Sequence, residues 1–262
     1  MDAAERDLLS STLHKAMTTA TGPALDASLA GLGWADLLTE VPEAAVPLVF
    51  RLLGETGAHA PLLNDVILHA AGRPLGGTPP LPYAGGSWVV WERGGRGAPG
   101  VCLDGELPLR VGPAGEPIPL GAGRRALGWW LVGTGRAMLA LARSHVLDRT
   151  QFGRPLASFQ AVRHRLAETL VALDGAEATL VAADDDLGAL LAKAAAGRSA
   201  LTAARHCQQV LGGIGFTAEH DLHRHVRRAL VLDGLLGSAR ELTREAGTLV
   251  REGRSAPRLV QL

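Results

Sequence analysis

The sequence predicts a mainly α-helical fold with a small β insert between two helical stretches. Three observations carry that expectation. Apolar residues recur every three or four positions over most of the chain, the period of one helix face. Between positions 73 and 119 glycine and proline crowd in around short β-prone pieces. Aromatic residues make up only 4% of the 262, so Leu, Ala and Val must build most of the core. The resulting division is an abbreviated helical domain at residues 1–72, a reduced β domain at 73–119 and a four- or five-helix bundle at 120–262.

In the first stretch Val46, Leu48, Val49, Leu52 and Leu53 lie at helical spacing, and Gly22-Pro23 and Val41-Pro42 mark breaks. In the second, residues 87–91 and 107–111 read as strands between turn signals. The third begins near Gly121. Its uncharged run, residues 126–135, reads as a buried helix, and Phe159, Val162, Leu166, Leu170 and Leu173 define one face of another. Gly153-Arg154-Pro155 and the glycines at 212, 213 and 215 interrupt these helices.

Composition excludes several functions. Lys and Arg total 26 and so do Asp and Glu, so no net charge concentrates the protein on nucleic acid or lipid headgroups. With 47% hydrophobic residues the chain is not intrinsically disordered. Cys102 and Cys207 make neither a disulfide framework nor, alone, a zinc site, and a reducing cytosol suits them. The start is acidic and lacks a signal-length apolar stretch, and the 126–135 run is half of the roughly 20 residues a bilayer demands. A cytoplasmic protein with neither nucleic acid nor membrane as partner is expected.

Leu-Asp-Arg-Thr-Gln-Phe-Gly-Arg-Pro-Leu at 147–156, followed by Phe159-Gln160-Ala161-Val162, is the first of three telling stretches. The second is Ala192-Lys193-Ala194, leading to Gln209-Val210-Leu211-Gly212-Gly213-Ile214-Gly215-Phe216; the third runs from Glu219 through Arg224 and Arg227 to Gly237. In order and spacing they resemble the acyl-CoA dehydrogenase family over about residues 121–252. The resemblance implies the fold named above and FAD as cofactor. It also implies that Arg149 grips the pyrophosphate of a flavin seated mainly in a neighbouring subunit, as a planar bidentate cation can. Gln151, Phe152 and Gln160 fall at positions near that cofactor, and Gln209, Gly212 and Gly213 at a second contact to it.

Local readings stand beside these. Arg149 could pair with Asp148 or another surface acid, and Gly-Gly-x-Gly could simply end a helix. Phe159 reads as core packing. No P-loop and no nucleophile elbow is present. His220, His223 and His225 lack a carboxylate or cysteine partner at ligand spacing, and a helix turns His225 away from His220, so they read as solvated helix-face histidines and no metal is expected. Arg224, Arg227 and Arg228 read as a charged face or subunit contact, and Cys207 as a small buried filler.

Desaturation of an acyl-CoA demands a carboxylate to remove the α-proton while the β-hydrogen leaves as hydride. The family keeps that base in one of two places, and the matching residues are Leu236 and Gly123, neither of which accepts a proton. The nearest acid, Asp233, lies about one helical turn earlier. The short β stretch lacks the usual flavin-contact segments; Ser238 could replace the customary Thr, and Arg240 departs from the customary Gln. The resemblance therefore implies a degenerate subunit, inactive alone, that joins a catalytic acyl-CoA dehydrogenase homologue in an α2β2 assembly, as in bacterial enzymes that often act on steroid-derived CoA thioesters. The rivals are a self-sufficient enzyme using Asp233, an enoyl-CoA hydratase or dehydratase on the same fold, and a scaffold that never touches flavin.

Overall fold

The structure is a computed structural model and describes residues 2–94 and 103–253; Cys102 lies outside the described residues. Five helices come first: α1 (Ala3–Thr19), α2 (Gly22–Gly31), α3 (Trp34–Glu40), α4 (Pro42–Thr56) and α5 (Leu62–Ala70). Gly22-Pro23 and Val41-Pro42 begin α2 and α4, where proline's missing N–H costs nothing. An antiparallel sheet follows in the order β1 (Pro80–Tyr83), β2 (Ser87–Trp91), β3 (Leu109–Val111). The expectation named the pieces that hold β2 and β3 but not β1. Pro80 and Pro82 hide it from a propensity reading, and an edge strand tolerates them because half its donors have no partner strand.

The chain then returns to helices: α6 (Gly121–Asp148), α7 (Gln160–Val181), α8 (Asp186–Leu211), α9 (Leu222–Gly234) and α10 (Ala239–Gly253). At 28 residues α6 is about 42 Å long. Every residue from 126 to 135 is buried. α4 crosses it where Gly54 meets the backbones of Trp130 and Thr134, and Gly133 meets that of Arg51. A methyl group at either glycine would push the helices apart. One hydrophobic cluster runs from Leu13 on α1 to Leu236 beyond α9, so the two helical stretches share a core. The few aromatics sit at its junctions: Trp34, Phe50, Trp130 and Trp91 follow one another with ring centroids 6.3, 5.7 and 5.5 Å apart, joining α3, α4, α6 and β2.

The inward face of α7 itself departs from the expectation at Leu170, and Phe159 lies just before the helix. Leu173 is buried and Val162 and Leu166 pack on the core, but Leu170 points outward and Thr169 takes the inward place. Both lie within a helical step of Leu166, and Thr169 wins because its hydroxyl accepts and donates hydrogen bonds inside. Among the described residues no helix is long and apolar enough to cross a membrane.

Candidate functional site

α6 stops at Arg149, whose extended backbone (φ −82°, ψ 120°) still donates to His145 O. A tight hairpin follows, β4 (Thr150–Gln151) against β5 (Arg154–Pro155), with Phe152 and Gly153 at its tip. Both tip residues have positive φ, +53° and +74°, as a two-residue hairpin with right-handed twist requires. Glycine adopts this freely; phenylalanine is strained there. Phe152 is nonetheless 89% exposed, and its ring meets Phe159 edge to face at 6.1 Å. Phe159 is therefore not core: it supports the hairpin and carries the Arg154 guanidinium 4.1 Å over its ring.

The Arg149 side chain is exposed and, among the described residues, has no hydrogen-bond or ion-pair partner. The local pairing with Asp148 is not made. Arg149 instead borders an open depression of about 420 Å³ with Ser144, His145, Asp148 and His220. The His145 and His220 rings meet edge to face at 6.4 Å, and burial, His220 and Arg149 hold the His145 pKa below its usual range. Gln151 Nε2 donates to Thr150 O at 2.8 Å, and Gln160 opens α7 with its amide 3.4 Å from His164 Nε2.

α8 ends at Gly212, whose φ of +68° with ψ −143° is open in practice only to glycine. The turn Gly212–Phe216 follows. A side chain at Gly213 would meet no heavy atom within 4 Å, so packing within this chain does not require glycine there. His220, just past that turn and at the start of the third stretch, lines the Arg149 depression, so the first and third stretches meet there. Gln209 is exposed on α8 beside Arg165, Arg205 and His206. Sequence reasoning missed those three; the signal was Thr169 and Arg165 one helical turn apart, facing His206.

The two positions where the family keeps its base are in contact. A methyl group at Gly123 would stand 2.8 Å from Ile67 Cγ1 and 2.9 Å from Leu236 Cδ1. Leu236 is 1% exposed and Ile67 is fully buried, so aliphatic side chains fill the space in front of both. The backbone here is anchored from two sides. Leu236 adopts φ +57° and its N–H donates to Pro82 O at 2.8 Å; buried Lys193 donates from Nζ to Asp233 O and Gly237 O, both at 2.5 Å. Burial pushes the Lys193 pKa down to about 7, against the pull of Asp233.

Asp233 is also engaged. Its carboxylate accepts from Ala239 N at 3.1 Å, at the start of α10, and packs on Gly197. Ser238 and Glu241 close a capping box on the same helix, and Glu241 accepts from Gly85 N as well. These donors hold the Glu241 pKa at about 2.

Three expectations are corrected. Arg228 is not on a charged face: it is 2% exposed, pairs with Asp104 and Glu106, and donates to Gly57 O and Ala58 O, tying the β insert to α9 and the end of α4. His225 is no solvated helix-face residue: burial and Arg228 hold its pKa at about 4. Phe159 is the third, as above. Cys207 is fully buried, as expected, and burial pushes its thiol to about 12. Among the described residues no cluster of His, Cys, Asp and Glu could hold a metal ion.

Comparison with known proteins bears on the family and the fold. Acyl-CoA dehydrogenase FadE34 of Mycobacterium tuberculosis is 39% identical over 131 residues, 46% of this chain and 18% of that protein. The chain spans less than two fifths of the length of curated relatives such as this one. Two solved structures share its fold almost throughout. The steroid ACAD Tcur3481–Tcur3483 covers 97% of this chain and 99% of its own, with a TM-score of 0.75 at 21% identity. The ChsE4–ChsE5 complex of Mycobacterium tuberculosis covers 98% and 99%, with a TM-score of 0.66 at 18% identity. Residues 119–245 match the family model of the acyl-CoA dehydrogenase C-terminal domain, and they are such a domain, set in a chain with the acyl-CoA dehydrogenase fold.

Proposed function

We propose that this chain is the base-less subunit of a heteromeric acyl-CoA dehydrogenase and completes the FAD site of a catalytic homologue. The carrying observation is the contact between Gly123, Leu236 and Ile67. Where the α-proton of a thioester would be removed, the described residues offer no proton acceptor and no space. Asp233, held at the start of α10, does not face that point as a free carboxylate, which disfavours a self-sufficient enzyme.

The donor set does fit one end of a flavin dinucleotide. Arg149 is a planar cation unpaired among the described residues, Gln209 an exposed amide, and Phe152 an exposed aromatic at the tip of a hairpin. These suit a pyrophosphate and its adenosine. Among the described residues the sheet of three short strands, with Leu81, Trp91 and Leu109 turned into the core, offers no matching cradle for the ring system. A bound flavin supplies the hydride acceptor. Arg149 would neutralise and orient the pyrophosphate, Gln209 would hydrogen-bond beside it, and Phe152 would shield that end from water. The two-part names of the fold neighbours, one a steroid ACAD and one a complex, support a second, homologous subunit; the assembly we propose is α2β2 and acts on a steroid-derived CoA thioester.

Co-expression with a full-length homologue tests this. The expected result is a co-purifying yellow complex that desaturates acyl-CoA, while the chain alone is colourless and inactive. Arg149→Ala should lower the flavin content of the assembled complex. Stoichiometric flavin and turnover in the isolated chain would defeat the reading.

A further inference from the structure

α7 and α8 lie side by side, and between them Arg165, Arg205, His206 and Gln209 line a depression of about 540 Å³. Arg165 Nη1 is 3.2 Å from His206 Nε2, and His206 Nδ1 is 3.0 Å from Thr169 Oγ1, which donates to Arg165 O at 2.8 Å. A guanidinium only donates. His206 Nε2 must therefore be the acceptor, Nδ1 carries the proton and donates to Thr169, and the ring is neutral. Burial and the neighbouring Arg165 keep it so, holding the His206 pKa below its usual range.

The result is a closed circuit that ties the Arg165 side chain back to its own helix through a histidine that is only 9% exposed. A merely solvated arginine has no such brace. Arg205 has no hydrogen-bond or ion-pair partner among the described residues. One carboxylate is near, Glu168, 3.4 Å from Arg165. Two guanidinium groups, an amide and a neutral imidazole against one carboxylate leave a net positive, donor-rich site. That chemistry suits a multiply charged oxyanion with several acceptor oxygens, a phosphate or pyrophosphate, better than a lone carboxylate.

We infer that Arg165 and Arg205 bind a phosphate of the same dinucleotide that Gln209 contacts, with His206 and Thr169 as positioning residues for Arg165. This rests on the shared-flavin reading and extends it to residues outside the recognised motifs.

The test uses the assembled complex and measures flavin retention by absorbance after dialysis. Arg165→Ala/Arg205→Ala should weaken retention by about tenfold or more, the scale of losing charge-assisted hydrogen bonds. Retention unchanged in that variant but lost in Arg149→Ala overturns this inference and leaves the shared-flavin reading standing; retention unchanged in both overturns that reading itself. If the variant fails to assemble, the isolated full chain is titrated with inorganic pyrophosphate. A rise in its melting temperature that vanishes with Arg205→Ala supports the inference, and a rise that persists overturns it. Coenzyme A binding that depends on Arg205 while flavin retention does not would place a CoA phosphate here instead, and also overturns it. For His206, a double-mutant cycle separates positioning from packing: His206→Leu should weaken retention, and adding Arg165→Ala to it should cost little more.

Discussion

The hairpin end of α6 and the Gly123–Leu236 contact lie on one fold yet are built in opposite ways. At the hairpin, polar and aromatic groups stand outward: Arg149 is unpaired and Phe152 keeps a strained backbone with its ring in solvent. At the contact, Leu236 also has positive φ, but its side chain is buried; its N–H donates to Pro82 O, and Lys193 holds the carbonyls of Asp233 and Gly237 on either side. Strain at an exposed residue points to something outside the chain that benefits from it. Strain at a buried residue is balanced by packing. The first region leaves polar and aromatic groups in solvent, and the second is closed by packing.

The largest effect that could break this contrast comes from restoring the base. Leu236→Glu should lower stability by roughly 4–5 kcal/mol, because it buries a carboxylate among aliphatic groups, and should create no desaturase activity in the isolated chain. Urea unfolding and an acyl-CoA assay check both halves; a folded, active variant would show that the closed region is still a pocket.

Lys193 sharpens the contrast next. Its pKa is depressed in the folded state, so the stability it contributes is complete above the unfolded value near 10.5 and is lost as pH falls to about 7. The protein should therefore gain up to roughly 4 kcal/mol between pH 7 and 10.5 relative to Lys193→Met, measured as the difference between their urea midpoints across that range. A smaller loss comes with acid. Burial and Arg228 depress both His59 and His225 to about 4, so stability should fall as pH drops from about 6.5 towards 4. Between pH 7 and 5 this amounts to roughly 1–2 kcal/mol for each histidine. His225→Asn should flatten the corresponding part of the curve.

The smallest effects belong to the open region. Arg149→Ala should change stability by less than about 0.5 kcal/mol. Phe152→Gly, which removes the left-handed strain but also the contact with Phe159, should stay within about 1 kcal/mol of the parent. Thermal unfolding would reveal a larger loss in either, and such a loss would mean that the hairpin is structural.

Parts of this were legible and parts were not. The 126–135 run announced a buried helix because ten consecutive uncharged residues leave no polar face. Breaks at Gly22-Pro23, Val41-Pro42 and the glycines after Leu211 were readable because proline and glycine act on the local backbone. β1 was not, since its prolines are tolerated only by its edge place beside β2. Leu170 and Thr169 could not be ranked on α7 because His206, on another helix, decides between them. Arg228 and His225 looked like surface residues until the β insert and the end of α4 covered them.

What the sequence determined by itself is local and chemical: where helices start and stop, which residues can donate or accept a proton, and that Gly123 and Leu236 can do neither. Tertiary structure alone decided that those two positions touch, that Asp233 and Lys193 are held where they are, and that Arg149 and Arg205 stay unpaired among the described residues. The reason is physical. Backbone preference and side-chain chemistry act within a few residues, whereas contact, burial and the freedom of a charge depend on segments that meet only when the chain has packed.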